Sequence, residues 1–234
     1  MTMKSPHSTV LLIGASRGLG LAIAEEYLNY GSRVVATVRS AERTELHDLC
    51  DTAAGRLEIE HLDITIPEQI VQLRHRLVSR TFDLLFVNAG ITNNAEETIA
   101  EVSTEDFTRL MITNALGPLR VIEGLDDLVA ANGTIAAMSS GQGSVANNER
   151  GGFEVYRSTK AALNMLMRSY AARHLDDPRT LLLMAPGWVQ TRLGGPHARL
   201  TIKESVPNLV KVIDAQHGHG GLQYLDYRGE TVAW

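Results

Sequence analysis

Residues 10–30 read VLLIGASRGLGLAIAEEYLNY, an apolar run that leads through a glycine-rich turn into a helical pattern. The run at 10–13 predicts a buried strand, and the apolar spacing over 21–30 predicts a helix. Gly14, Gly18 and Gly20 allow a tight turn and let a pyrophosphate approach the free N–H groups of the helix N-terminus. This order of strand, glycine turn and helix predicts the first unit of a dinucleotide-binding α/β fold.

Beyond this unit, short β-rich runs alternate with helical patterns along the whole chain. The alternation predicts a Rossmann-type, doubly wound, mostly parallel seven-stranded sheet with helices on both faces. No Pro/Gly/Ser-rich linker divides residues 1–234, so we expect a single domain. Ser103 followed by Asp106, and Pro67 at a first turn, mark helix starts. The strands are expected at 10–13, 33–38, 57–62, 84–88, 133–139, 180–185 and 222–225.

Composition and charge exclude several classes of protein. The formal charge is −5, and the 18 Arg and 4 Lys residues are scattered, so neither nucleic acid nor an anionic membrane is an expected partner. Residues 1–9 lack the apolar stretch of a signal peptide, and no run is long enough to span a bilayer. Cys50 is the single cysteine and fits a reducing compartment, so we expect a cytoplasmic protein. His217 and His219 lack partners at ligand spacing, which favours a turn over a metal site.

The end of the second predicted strand bears on the choice of nicotinamide cofactor. An acid at this point binds the adenine ribose hydroxyls, whereas a base accommodates a 2′-phosphate. The strand here ends Thr37-Val38-Arg39-Ser40 without an acid. Arg39 and Arg17 could form a fork around a phosphate, which predicts NADPH rather than NADH. The alternative is that both arginines are only exposed.

A later helical stretch, residues 153–166, carries a candidate proton donor. On a helix, Tyr156 and Lys160 share one face because they lie four residues apart. A neighbouring ammonium favours the phenolate, so it should lower the pKa of Tyr156 toward the range of general acid catalysis. Since such pairs also occur on solvated helix surfaces, the surrounding motifs must decide.

Those motifs resemble the single-domain short-chain dehydrogenase/reductases over essentially the whole chain. Residues 139–144, 156–164, 186–191 and the tail 229–234 look like the C-factor and sniffer-like carbonyl reductase branch. The motifs follow the family's order: Gly14-x-x-x-Gly18-x-Gly20, Asp63-Ile64, Asn88-Ala89-Gly90, Asn114, Ser139-Ser140, Tyr156-x-x-x-Lys160 and Pro186-Gly187.

The resemblance implies a role for each of these residues. Tyr156 would protonate the carbonyl oxygen, Lys160 would lower the pKa of the phenol and hold the nicotinamide ribose, and Ser140 would donate a hydrogen bond to the substrate oxygen. Asn114 would hold a water in a proton relay. The implied cofactor-binding residues are Gly14, Ser16, Arg17, Gly18, Leu19, Gly20, Arg39, Asp63, Ile64, Asn88, Ala89, Gly90, Tyr156, Lys160, Pro186, Gly187, Val189 and Thr191.

Several of these roles have alternatives. Asn114 could merely bridge backbone groups, and Asp63 could be a helix N-terminal acid without a ligand. Ser139 and Ser144 compete with Ser140, which we favour because Gly143 follows it as in the family's Ser-x-x-Gly pattern.

The chain also departs from the family pattern at two places. Ile13 replaces the usual Thr before the first glycine, which predicts a less rigid turn and weaker cofactor binding. Tyr156 follows Ser140 by sixteen positions, more than is common in the family, so residues 147–152 should form a loop near the substrate pocket. The loops at 141–152 and 187–201 follow the fifth and sixth strands and should border the ligand site.

The predicted function is NADPH-dependent reduction of an aldehyde or ketone. One alternative is an NAD(P)-binding regulatory protein of the C-factor type with little turnover. A sugar epimerase or dehydratase would need a substrate domain that 234 residues barely accommodate. The side chains that are candidates to line the pocket suggest an apolar or aromatic small-molecule carbonyl compound as substrate. These candidates are Phe153, Trp188, Leu193 and the loop through Leu200.

The resemblance also implies a possible homodimer or homotetramer, formed through the helix that carries Tyr156 and the helix before it.

Overall fold

The computed structural model describes residues 5–234. The first four residues of the amino-terminal segment 1–9 lie outside the described residues. Within this range the chain forms seven strands and seven α-helices. The strands are β1 (Thr9–Ile13), β2 (Arg33–Val38), β3 (Leu57–His61), β4 (Phe82–Val87), β5 (Val129–Met138), β6 (Thr180–Ala185) and β7 (Gly221–Asp226). The helices are α1 (Gly18–Asn29), α2 (Glu45–Thr52), α3 (Pro67–Leu77), α4 (Thr104–Met111), α5 (Gly117–Leu125), α6 (Glu154–Arg173) and α7 (Ile202–Ala215). One helix follows each strand except β4, which two helices follow, and β7, which none of the described residues follows as a helix.

The strands form one sheet in the order β3-β2-β1-β4-β5-β6-β7, and every pairing between them is parallel. Successive β1 residues face opposite sides of this sheet, and both sides are covered. A parallel strand buried on both faces reads as a continuous apolar run, which explains why 10–13 contains no polar residue. The predicted doubly wound sheet is confirmed.

Two apolar layers hold the helices against the sheet. On one face, α3, α5 and α6 pack on side chains that include Leu11 and Ile13. On the other face, α1, α2 and α7 pack on side chains that include Val10 and Leu12. Because every strand runs in the same direction, the loops that follow the strands meet at one edge of the sheet. No helix of the described residues is long and apolar enough to cross a membrane.

The predicted elements differ from the structure mainly at their ends. Strand β5 begins at Val129, earlier than expected, across a register shift in its pairing with β4. Helix α6 begins one residue late because Phe153 adopts a left-handed conformation with φ of 52°, and it continues to Arg173. The Ser103 cap is confirmed, since its side chain accepts a hydrogen bond from the Asp106 N–H, and Pro67 opens α3 as predicted.

Candidate active site

The glycine turn between β1 and α1 packs directly on the segment that follows β4. A Cβ atom added to Gly14, whose φ is 87°, would lie 2.8 Å from the Cα of Ala89. A Cβ on Gly20 would lie 2.1 Å from the Gly14 carbonyl oxygen. The Asn88 amide donates a 2.7 Å hydrogen bond to that same oxygen. These contacts require glycine at Gly14 and Gly20 irrespective of any ligand.

Thr37 anchors the same turn from the neighbouring strand. Its buried hydroxyl accepts a 2.9 Å hydrogen bond from the Gly14 N–H. The carbonyl of Ile13 accepts hydrogen bonds from the N–H groups of Asn88 and Ala89 at 2.9 and 3.0 Å. The turn is therefore held by hydrogen bonds on both sides although Ile13 brings no hydroxyl of its own.

The remaining turn residues reach the edge of the sheet. Arg17 precedes the first residue of α1, and Arg39 follows β2; both side chains are exposed. Among residues 5–234, neither guanidinium has a carboxylate within 4.0 Å. Gly18 has φ of 59°, and a Cβ there would lie 3.8 Å from Thr191 of the loop after β6. Ser16 and Leu19 are half-buried in this turn.

Asp63 and Ile64 follow β3, and the carboxylate has local partners. Its Oδ1 accepts hydrogen bonds from the N–H and the hydroxyl of Thr65, at 2.9 and 2.7 Å. Ile64 is buried, and its carbonyl lies 3.0 Å from the position of a Cβ on Gly117. Asp63 therefore makes a local turn contact with Thr65. It does not cap α3, whose N-cap is Ile66 and has no side-chain capping hydrogen bond, and its adenine contact stays a prediction.

Asn114 lies in a π-helical turn, Ile112–Leu116, that connects α4 to α5. Such turns often mark functional sites because they interrupt the regular ladder of hydrogen bonds. The fully buried Asn114 amide accepts a 2.8 Å hydrogen bond from the Ile91 N–H and donates to the Ile91 carbonyl and the Thr159 hydroxyl. The bridging contacts of the alternative interpretation are thus present, and the relay water stays a prediction.

Gly90 shows how close Asn114 lies to Lys160. A Cβ atom added to this glycine would lie 3.4 Å from the Asn114 Oδ1 and 3.6 Å from the Lys160 Nζ. The segment after β4, the π-helical turn and α6 therefore converge at one point.

Tyr156 and Lys160 share one face of α6, as the spacing predicted. Both side chains are buried, and the Lys160 Nζ lies 5.8 Å from the centre of the Tyr156 ring. The ammonium donates a 2.9 Å hydrogen bond to the Met138 carbonyl at the end of β5.

The prediction that the pKa of Tyr156 is lowered is wrong for the protein without bound cofactor. Burial raises the pKa of this phenol to about 12, opposed in part by a hydrogen bond from Ser140. Burial also lowers the pKa of Lys160 to about 8. Desolvation disfavours the charged form of each group, so it raises the pKa of the phenol and lowers that of the ammonium.

Ser140 is the serine whose hydroxyl faces the phenol. Its Oγ accepts a 3.1 Å hydrogen bond from the Gln142 N–H, so its own proton is free to be donated. Ser139 instead donates to the Asn164 Oδ1 at 2.6 Å, and Ser144 is buried and accepts from the Asn147 N–H. The choice of Ser140 over the two other serines agrees with this geometry.

The loop after β6 closes the edge of the site. Gly187 has φ of 82°, and a Cβ there would lie 2.5 Å from Leu200. Val189 pairs with Leu200 in an isolated bridge, so the loop is more ordered than its irregular sequence indicated. The Thr191 hydroxyl accepts from the Gly194 N–H, and the Pro186 carbonyl accepts from Ser205.

The predicted pocket-lining residues differ in exposure. Trp188 and Leu193 are 49% and 46% exposed, whereas Phe153 is half-buried beside the first turn of α6. The two apolar side chains of the loop after β6 therefore remain available to a ligand.

Residues 8–199 match the family described as short chain dehydrogenase. The chain belongs to the short-chain dehydrogenase family. This short-chain dehydrogenase is therefore an NAD(P)H-dependent oxidoreductase, and the family predicted from the motif order is confirmed.

Three similar proteins indicate to which branch of the family the chain belongs. A short-chain dehydrogenase/reductase from Burkholderia multivorans with bound NADP is 59% identical, with a TM-score of 0.96 over 98% of this chain and 100% of that one. A carbonyl reductase from Pseudomonas aeruginosa PAO1 in complex with NADP is 35% identical, with a TM-score of 0.90 over 99% and 100%. The C-signal protein of Myxococcus xanthus is 38% identical over 65% of this chain and 92% of its own. Together they confirm the branch predicted from the sequence.

Sequence reasoning missed four residues that support the site: Thr37, Thr159, Asn164 and Tyr224. Asn164 could have been found, because it lies eight positions after Tyr156 and therefore on the same helical face. Thr37 and Tyr224 contact the site from strands, and Thr159 of α6 contributes through its hydrogen bond with Asn114. No spacing in the sequence reveals these contacts between elements.

Proposed function

We propose that this short-chain dehydrogenase is an NADPH-dependent carbonyl reductase that acts on aldehydes or ketones. The observation that carries the proposal is the convergence of Tyr156, Lys160 and Ser140 at the carboxyl edge of the sheet, beside the glycine turn. A proton donor, a cation and a hydroxyl donor at one point suit a reaction that develops negative charge on an oxygen atom.

Tyr156 supplies the proton in this proposal. With a pKa of about 12, the phenol is protonated at neutral pH, which is the form that reduction needs. The Ser140 hydroxyl donates a hydrogen bond to the carbonyl oxygen and stabilises the charge that forms there. Below pH 8 the Lys160 ammonium is mostly charged, so it stabilises the phenolate left after proton transfer.

The cofactor site fits NADPH. Arg17 and Arg39 present exposed guanidinium groups near the start of α1, and both the Burkholderia and the Pseudomonas structures hold NADP. Guanidinium groups recognise phosphate through paired hydrogen bonds, so we assign the 2′-phosphate to these two arginines. When bound, NADPH supplies the hydride. We propose that the other cofactor-binding residues implied by the resemblance, from Gly14 to Thr191 along the chain, contact NADPH as well.

A regulatory protein of the C-factor type is the second candidate, and the C-signal relative is what favours it. A sensor that only binds nucleotide needs neither a proton donor nor a buried lysine. Because both are present and a serine faces the donor, the reductase accounts for more of the site.

Placement and assembly complete the proposal. We assign residues 1–234 to one NAD(P)-binding domain in the cytoplasm, where the free thiol of Cys50 would remain reduced.

We also propose a homodimer. An apolar groove between α6 and the α4–α5 segment exposes Leu116, Met165 and Leu166, and a second copy of α6 would cover these side chains.

A panel of aldehydes, ketones and quinones tests the proposed activity. Consumption of NADPH, followed by its absorbance, should accompany reduction of at least one apolar or aromatic member of the panel. NADH at the same concentration should support a slower reaction. A purified, folded protein that binds NADPH yet reduces no member of the panel would contradict the reductase and favour the regulatory candidate.

A further inference from the structure

One face of α6 carries more than the proton donor and its lysine. Tyr156, Lys160, Asn164 and Arg168 follow one another at intervals of four residues, so they form a stripe along the helix. The first two residues of the stripe belong to the proposed chemistry. Asn164 contacts the residues on either side of Ser140, and Arg168 contacts Trp234.

The Asn164 side chain forms hydrogen bonds on both sides of Ser140, with Ser139 before it and Gly143 after it. Its Oδ1 accepts a 2.6 Å hydrogen bond from the Ser139 hydroxyl, and its Nδ2 donates to the Gly143 carbonyl at 3.2 Å. Gly143 is needed at this place because an added Cβ would lie 3.0 Å from both Asn164 and Lys160.

Tyr224 of β7 holds Ser140 itself. Its hydroxyl donates a short hydrogen bond to the Ser140 carbonyl, and its side chain is 2% exposed. The segment after β7 returns over this tyrosine, since the Val232 N–H donates to the Tyr224 carbonyl at 2.9 Å.

Trp234 completes the packing around Tyr224. The two rings lie 5.4 Å apart, and the Arg168 guanidinium lies 4.5 Å from the centre of the indole. The Trp234 carbonyl also accepts a 3.0 Å hydrogen bond from the N–H of Ala146, in the loop that follows Ser140. The phenol of Tyr224 therefore has little freedom to leave the Ser140 carbonyl.

We propose that Tyr224 is a positioning residue that acts through Ser140, fixing the serine backbone so that its hydroxyl points at the substrate oxygen. The inference rests on the proposed reductase function. A hydrogen bond that stabilises charge only in the transition state depends on the placement of its donor. Without the Tyr224 hydroxyl, the Ser140 carbonyl loses its partner and the serine can rotate away from the productive position.

Tyr224→Phe tests this inference, because phenylalanine keeps the ring and removes only the hydroxyl. We expect kcat for carbonyl reduction to fall about tenfold while the Kd for NADPH stays unchanged. Tyr170→Phe is the matched control: it removes another phenol from the same core, whose hydroxyl donates a 2.7 Å hydrogen bond to Asp126. Its kcat should remain within about twofold of wild type.

A double-mutant cycle with Ser140→Ala separates positioning from a general loss of structure. If Tyr224 acts through the serine, Tyr224→Phe should cost less than about twofold in kcat once the Ser140 hydroxyl is gone. The same tenfold loss in that background, or an unchanged kcat in the single variant, would overturn the inference.

The Ser140 carbonyl carbon gives a second readout that needs no activity. In an HNCO spectrum, where it correlates with the N–H of Gly141, its chemical shift should move in Tyr224→Phe and stay in Tyr170→Phe. An unmoved shift would overturn the inference whatever the kinetics. A wild-type protein that reduces no carbonyl compound would instead refute only the proposed function, since the HNCO comparison still decides whether Tyr224 holds Ser140.

Discussion

At the scale of single residues, Lys160 carries a positive charge in a fully buried position. Its Nζ donates one hydrogen bond, to the Met138 carbonyl, and no carboxylate of residues 5–234 forms an ion pair with it. A buried ammonium without an anion destabilises a fold, so a chain under selection for stability alone would place an apolar residue here. We infer that the lysine is retained, although it destabilises the fold, because its charge stabilises a phenolate at Tyr156.

Lys160→Met should therefore stabilise the fold and abolish reduction. At pH 7 the free energy of unfolding should rise by roughly 2 kcal/mol, since one pKa unit corresponds to about 1.4 kcal/mol and the freed Met138 carbonyl takes back part of the gain. The unfolded lysine binds its proton up to about pH 10.5, whereas the folded one loses it near pH 8. The wild type thus gains stability between these values, and the advantage of the variant should shrink over the same range. Urea unfolding at pH 7 and at pH 10 measures the gain in stability and its decrease at high pH. A variant less stable than the wild type at pH 7 would contradict the interpretation.

Arg39 should decide between the two nicotinamide cofactors. Arg39→Ala should raise the KM for NADPH by roughly 10-fold to 100-fold, because it removes a charge-assisted contact to the 2′-phosphate, and should leave the KM for NADH unchanged. Arg33→Ala is the control, since Arg33 is an exposed arginine at the opposite end of the same strand. If both cofactors respond equally to Arg39→Ala, the residue is merely exposed, as the alternative interpretation holds.

At the scale of elements, the sequence predicted the order of strands and turns well but not the contacts between them. Apolar runs and glycines are local signals, so 10–13 and Gly14 are found from sequence alone. Thr37 contacts Gly14 only because β2 pairs with β1 in one register, and that register has no local signal. The direction of the Tyr156 pKa was missed for a similar reason, since it depends on burial by distant elements.

Thr37→Val tests the contact between β2 and the glycine turn. Valine matches the shape of threonine but leaves the half-buried Gly14 N–H without this acceptor, which should cost about 1 to 3 kcal/mol of stability. The affinity for NADPH should fall as well, because the turn that receives the pyrophosphate is no longer anchored. Thr37→Ser keeps the hydroxyl and should preserve both. Equal behaviour of the two variants in urea unfolding and NADPH titration would rule out this anchoring role.

At the scale of the whole molecule, the sheet was predictable because two-sided burial gives each strand a recognisable apolar run. The loops after β5 and β6 were not, since no periodicity governs them, and the bridge between Val189 and Leu200 emerged only from the structure. The apolar groove beside α6 was missed in the same way: Met165 reads as an ordinary helical residue, yet it is 64% exposed.

Met165→Arg should convert the proposed homodimer into a monomer, because the charge would be buried against the second copy of α6. Leu175→Arg is the control, since Leu175 is also exposed but lies beyond the end of α6 and outside the groove. Sedimentation velocity at micromolar concentration distinguishes the two states. A monomeric wild type, or a dimer that survives Met165→Arg, would contradict this assembly.

The proton donor is the central claim, and Tyr156→Phe tests it most directly. Phenylalanine keeps the buried ring and removes only the hydroxyl that would protonate the carbonyl oxygen. With an aldehyde or ketone that the wild type reduces, kcat should fall by about 100-fold to 10,000-fold, while NADPH still binds through the other proposed cofactor contacts. Turnover by Tyr156→Phe at the wild-type rate would contradict the account.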